Sequence, residues 1–180
     1  MLVQRVSFRY ARAALQTAIN SGISETVYND FQYIGKIFKL SRELKNIITN
    51  PIVHHKMKKD AFTAVFGDGK ISKLSLEFLS LLIDKRRGDL VPNIVEQYEN
   101  QYNHHNNRLP ATILSAIEMN ENAQKEIVAN LTAWTKKTIL PEFKIDNNII
   151  GGIKVTIEDW IYDASIENQL KVLYYKLVEG

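Results

Sequence analysis

Few residues of this chain combine a reactive type with a useful spacing. Gly151-Gly152 is followed by the alternating run Ile153–Ile157 and by Asp159, Asp163 and Ser165. A phosphate-binding loop needs a strand, glycines, and then a helix whose N-terminus faces the anion. Here the residues after the glycines alternate apolar and polar, which predicts a strand, so the glycine pair reads as a strand entrance that needs positive φ or close backbone approach. No GxGxxG and no GxxxxGK[ST] occurs elsewhere. His54-His55 and His104-His105 are adjacent pairs. Adjacent helical side chains diverge by about 100°, whereas metal ligands need a shared face, so neither pair reads as a metal site. Asp159 and Asp163 read as turn and capping residues, and Ser165 as the N-cap of a last helix. No Ser, His and Asp stand in a recognisable catalytic order. Neither a catalytic residue nor a cofactor is expected.

Composition narrows the class further. The chain has 180 residues, 45% of them hydrophobic and 24% charged, enough for a sizeable core in one or two domains. Cysteine is absent, which excludes disulfides, thiolate nucleophiles and cysteine-ligated zinc. No run approaches the length of an apolar membrane-spanning helix. Charge is uneven: residues 1–108 carry 16 Lys+Arg against 10 Asp+Glu, and residues 109–180 carry 7 against 10. A basic half and an acidic half suggest different partners for each. The clusters HHKMKK at 54–59 and KRR at 85–87 could touch nucleic acid, although no aromatics interleave with them for base stacking. A basic helical nucleic-acid-binding protein is therefore the alternative reading.

The elements that would hold these residues change character along the chain. Arg5, Arg9 and Arg12, with no acid before Glu25, give the start of the chain the charge of a transit peptide. The 3-4 spacing of Phe8, Ala11, Leu15, Ala18 and Gly22 instead predicts an amphipathic helix, with Val3, Val6, Tyr10, Ala14 and Thr17 as a second face. Further helices are expected over Ser24–Leu40 (capped by Ser24), from Ser41 to Asn50-Pro51, over His54–Phe66 with Met57, Ala61, Ala64 and Val65 inward, over Ser72–Lys85, and over Leu90–Asn107. Gly67-Asp68-Gly69 and Gly88 are the expected breaks. After Pro110 the pattern predicts a strand Ala111–Ile117, a helix Asn120–Lys137 capped by Asn120, and a strand through Phe143 and Ile145 into a turn at 146–148. Strands Ile153–Ile157 and Trp160–Asp163 and a helix Ile166–Val178 follow. The fold class is thus mainly α: a six-helix bundle over residues 1–107, followed by a small α+β domain over 108–180.

Four stretches, in order and over nearly the whole chain, carry a family resemblance. RYARAAL (Arg9–Leu15) resembles an opening YAxAL helix. Asn50-Pro51, Lys58-Lys59 and Phe66 are similar to an NP…K…LF region. FLSLLIDKRRGDLVPNI supplies Phe78, Leu79, Leu82, Arg87, Leu90, Pro92 and Ile94, and IIGGIKVTIEDWIYDASIENQL supplies Gly151, Gly152, Val155, Ile157, Asp159, Asp163, Ser165, Ile166 and Leu170. Together they resemble the delta subunit of the F-type ATP synthase, the oligomycin-sensitivity-conferring protein of mitochondria. The chain departs from the pattern in two places: Glu167, Asn168 and Gln169 stand where a basic residue or two is usual, and Gly88 where leucine is common.

The resemblance implies a non-catalytic stator subunit, peripheral on the cytoplasmic face of the bacterial inner membrane as part of the synthase, with no bound cofactor. It implies that the first domain grips N-terminal segments of the alpha subunits, in a groove between the first and fifth helices. Tyr10, Ala11, Ala14, Ala18, Phe78, Leu79 and Leu82 are its expected lining, the alanines for close approach. It implies that the second domain holds the peripheral-stalk b subunits, through Leu170, Leu173, Tyr174 and Leu177.

Overall fold

A computed structural model describes residues 2–50, 52–67, 69–147 and 149–178. The expected breaks at Pro51 and Asp68 and the end of the turn at Asn148 lie outside the described residues. Two compact units are present, residues 1–102 and 103–180. The division falls inside a helix because Tyr102 is still bundle core, stacked on Tyr28 at 4.2 Å.

The first unit is built from α1 (Leu2–Asn20), α2 (Ser24–Leu40), α3 (Arg42–Thr49), α4 (His55–Phe66), α5 (Lys73–Asp84), a 3-10 turn (Gly88–Leu90) and α6 (Val91–His105). Its core stacks Phe31 on Tyr98 at 4.3 Å and closes with Ile34, Phe66, Leu79, Leu82, Ile83 and Ile94. Ser41 caps α3, accepting the Leu44 N–H at 3.2 Å. Ser24, expected as a cap, is instead the first helical residue. The cap position belongs to Ile23, whose carbonyl takes the Val27 N–H and whose side chain makes no cap bond. The first turn of α5 is held from outside. Buried Asp30 of α2 accepts from Ser72 N–H at 2.9 Å and from Ser75 Oγ at 2.7 Å, and Ser72 Oγ caps α5 by accepting the Ser75 N–H at 3.3 Å.

Helix phase differs from expectation at three places. On α1 the inward stripe is Ser7, Ala11, Ala14, Leu15 and Ala18, and Phe8 is exposed. On α4 Phe62 and Phe66 are buried, while Met57 and Ala64 face outward. On α5 the spacing of Leu74, Phe78, Leu81 and Leu82 predicts one inward face, whereas the buried positions are Ser75, Leu79, Leu82 and Ile83.

The second unit contains β1 (Arg108–Ser115), α7 (Glu121–Thr135), β2 (Thr138–Ile145), β3 (Ile153–Ile157), β4 (Trp160–Asp163) and α8 (Ile166–Val178). The sheet order is β2-β1-β3-β4. β1 and β2 are parallel, joined by the α7 crossover, and β3 pairs antiparallel with both β1 and β4. β1 begins three residues before the expected start and carries Pro110. The β3 pairing begins only at Ala111, so Pro110 lies where β1 has no β3 neighbour. β2 also begins earlier than expected and carries Pro141. It is an edge strand, where a missing N–H is tolerated. Leu109, Ala111, Ile113, Ile139, Val155 and Ile157 form the core under Ile127, Val128 and Leu131 of α7. Asn120 caps α7 as expected, accepting the Ala123 N–H at 2.8 Å.

Candidate partner-binding surfaces

The glycine pair is a hinge into β3, and the closing motif around it is an anchor for α8. Gly152 has φ +82°, and a Cβ there would strike the Ala164 carbonyl; one on Gly151 would strike Ile166. Gly151 O accepts the Ile166 N–H at 2.9 Å. Asp163 Oδ1 accepts the Ser165 N–H at 3.0 Å, and Ser165 Oγ accepts the Asn168 N–H at 3.2 Å, so Ser165 caps α8 as expected. Hydrogen bonds from the Ser165 side chain and backbone, helped by Lys154 at 3.7 Å, hold the Asp163 carboxyl below the usual carboxylate range. The chemistry of this motif is structural: it launches a helix at a set angle from the sheet. Asp159 sits with Glu158 in the two-residue turn between β3 and β4. His54 precedes α4, and His104 and His105 close α6.

What that anchor launches is an uncovered helix. No residue of α8 is buried. Leu170, Leu173, Tyr174 and Leu177 are all exposed, as are Ile166, Val172, Tyr175 and Val178. The first four, with Ile166, recur at the spacing of one helix face, and the others give the opposite side an apolar character too. Contiguous apolar exposure of this kind marks a surface meant for a partner.

The first unit also has such a surface, though not on all the expected residues. Ala11, Ala14, Ala18, Leu79 and Leu82 lie in the core of the bundle. The correction has a plain cause: small residues do let helices approach, but on α1 the approach is to its own bundle neighbours. Tyr10 and Phe78 are half-exposed and meet edge to face at 6.4 Å. They sit on two partly exposed apolar stripes, whose members Val6, Tyr10, Leu74 and Phe78 also pack against the bundle core. On α1 the stripe is Val3, Val6, Tyr10 and Ala13; on α5 it is Leu74, Phe78 and Leu81. The 3-4 spacing of each was available as a signal, and only comparison with the buried stripe tells which face is free.

Arg87 borders the place where the stripes meet. Its Nη1 donates to Tyr10 Oη at 2.9 Å, and its guanidinium carbon lies 5.3 Å from that ring's centroid. A Schellman closure of α5 brings it there: Arg86 takes φ +59°, Arg86 N–H bonds Ile83 O and Arg87 N–H bonds Leu82 O. Gly88, where leucine is common in the resembled pattern, is buried against Ile48, and a Cβ there would stand 3.3 Å from Ile48 Cγ2 and 3.4 Å from its carbonyl oxygen. Pro92 stands at the second position of α6, where a helix has no partner for the missing N–H.

Among the described residues no group of three or more metal-ligating side chains exists, and no helix is long and apolar enough to cross a membrane. The first unit thus carries two partly exposed apolar stripes and the second a helix with no buried residue.

Comparison with known proteins makes this specific. Residues 6–177 match the family model described as ATP synthase delta (OSCP) subunit, and the chain belongs to that family. The ATP synthase subunit delta of Chlorobium phaeovibrioides is 32% identical over 172 residues, covering 96% of this chain and 94% of the relative. That of Syntrophomonas wolfei is 31% identical over 180 residues, covering 100% and 98%. A chain in a cryo-EM structure of the Toxoplasma gondii mitochondrial ATP synthase hexamer has the same fold, with a TM-score of 0.75 at 17% identity, covering 96% of this chain and 97% of that one. The family membership displaces the nucleic-acid reading of the basic clusters.

Proposed function

We propose that this chain is the non-catalytic stator subunit of an F-type ATP synthase, linking the alpha subunits of the catalytic head to the peripheral-stalk b subunits. In this role it keeps the head from turning with the rotor while protons drive ATP synthesis. Residues 1–107 hold N-terminal segments of the alpha subunits, and residues 108–180 hold the ends of the b subunits. It is attached to the cytoplasmic face of the bacterial inner membrane through the complex alone.

One observation carries the reading beyond family membership: each unit presents its own uncovered apolar helical surface. A joint between two bodies needs two separate grips. On the first unit the guest is an amphipathic helix laid along the stripes that meet at Tyr10 and Phe78, read by anchors at i, i+3, i+4 and i+7. On the second, Leu170, Leu173, Tyr174 and Leu177 of α8 pack with helices of the stalk.

Titration calorimetry of the full chain with a peptide of the cognate alpha N-terminus, and separately with the soluble part of b, tests this. One-to-one binding of the alpha peptide that Leu81→Asp weakens, and binding of b that Leu173→Asp weakens, is the expected result. Failure of the unaltered chain to bind either partner would refute it.

A further inference from the structure

A shallow cleft between α1 and α6 gathers three arginines around one aromatic ring. It is lined by Gln4, Arg5, Phe8, Arg9, Arg12 and Gln97, and its volume is about 510 Å³. That lies within the ~300–1,000 Å³ of small-molecule sites. Its two walls are tied together, since Gln101 Nε2 of α6 donates to the Phe8 carbonyl of α1 at 3.0 Å. At 3.6 residues per turn the arginines point about 110° away from the stripe of Val3, Val6, Tyr10 and Ala13, so the cleft is separate from the first grip.

Arg5, Arg9 and Arg12 stand at i, i+4 and i+7 on one face of α1, with Phe8 between them. All three arginines are exposed, and among the described residues none has a carboxylate within 4.0 Å. The nearby acids of α6, Glu96 and Glu99, line a different opening toward α2. Like charges one turn apart repel and weaken a helix, and a bound anion relieves that repulsion. Three guanidinium forks in line match the oxygens of a chain of phosphates, each fork able to give two parallel hydrogen bonds. Phe8 is 44% exposed, which leaves an aromatic surface for a flat ring to stack on.

We propose that this cleft binds a nucleoside polyphosphate, with the phosphates along Arg5, Arg9 and Arg12 and the base against the Phe8 ring. The Gln4 and Gln97 amides supply donors and acceptors for polar edges of the base or ribose. The proposal goes beyond the stator reading and does not depend on it.

Calorimetry of the full chain with ATP in metal-free buffer is the test, with inorganic tripolyphosphate and adenosine as separate probes. The expected result is saturable one-to-one binding of ATP that weakens as salt rises, weaker binding of tripolyphosphate, and no measurable binding of adenosine. R5Q/R9Q/R12Q should weaken ATP binding at least about tenfold, and R5K/R9K/R12K, which keeps the charge but not the forks, by a smaller factor. Phe8→Ala should weaken ATP binding about fivefold or more and leave tripolyphosphate binding unchanged. All four positions are exposed, so the variants should keep their helicity, which circular dichroism checks. Absence of saturable ATP binding by the unaltered chain, or unchanged ATP affinity in the folded glutamine variant, would overturn the proposal. Equal affinity for ATP and tripolyphosphate would remove the nucleotide from it. Retention on phosphatidylglycerol vesicles that the glutamine variant loses, without ATP binding, would replace it with a lipid-contacting face. Binding of the alpha peptide and of b is read separately, so failure here leaves the stator reading standing.

Discussion

Aspartate at Ala14 and at Leu81 distinguishes core from contact surface on the two helices that bear the first grip. Ala14 is 3% exposed and enclosed by the bundle. A carboxylate placed there has no described partner, and an uncompensated buried charge costs roughly 3–5 kcal/mol. The added volume strains a packed site further. A unit of this size has about 5–15 kcal/mol to lose, so Ala14→Asp should leave the first unit largely unfolded or sharply less resistant to urea. Leu81 is 44% exposed. Aspartate there touches no core, so the urea midpoint should move by no more than about 0.5 kcal/mol in equivalent stability. On binding, that position becomes the floor of a dry contact, and a central hot spot is worth about 2 kcal/mol or more, roughly 30-fold in affinity. Urea unfolding followed by circular dichroism, with calorimetry against the alpha N-terminal peptide, reads both effects. A fully stable Ala14→Asp would refute the packing of α1 described above. A stable Leu81→Asp with unaltered affinity would refute the assignment of the stripes as the guest's bed.

Three further outcomes follow from particular contacts. Asp30→Ala strands the Ser72 N–H at the start of α5, whereas the Ser75 hydroxyl keeps Ser72 Oγ at 3.0 Å, so the expected cost is about 1–3 kcal/mol for one buried group left unpaired; urea unfolding should show the loss, with Asp30→Asn milder because it keeps an acceptor. Gly152→Ala forces a side chain into left-handed backbone and into the Ala164 carbonyl, costing about 1–3 kcal/mol for the strain alone; hydrogen exchange of the Ile166 amide, bonded to Gly151 O, should accelerate well before that of β1. Since the Asp163 carboxyl is held below its ordinary value, its contribution is full above the unfolded carboxylate pKa and is lost as pH falls through the lowered one; acid titration by NMR should loosen the Ser165 and Asn168 amides in that window, and Asp163→Asn should abolish the transition.

The sequence carried much of this fold because its punctuation is local. Ser41, Asn120 and Ser165 each cap the helix they precede, and the alternation from Ile153 to Ile157 is a strand whose glycines do turn the chain. Reading failed where two answers satisfied the same pattern. α1 has two apolar faces, and its alanines fit a close approach to a guest or to its own bundle equally well. α4 offered Met57 and Ala64 at helical spacing beside Phe62 and Phe66, and the larger aromatics took the core because they bury more surface. Pro110 and Pro141 argue against strand, yet Pro110 lies before the β3 pairing starts at Ala111 and Pro141 lies on the edge strand β2.

Both tryptophans of the chain lie in the second unit, Trp134 on α7 and Trp160 on β4, with ring centroids 4.5 Å apart and 61% and 40% exposure. Tyr162 stacks on Trp160 at 5.7 Å. The indole emission of the whole protein therefore originates in one coupled, solvent-accessible chromophore. Quenching by iodide or acrylamide would report that unit's surface alone, and a guest settling on the first unit would be optically silent unless tyrosine were excited instead.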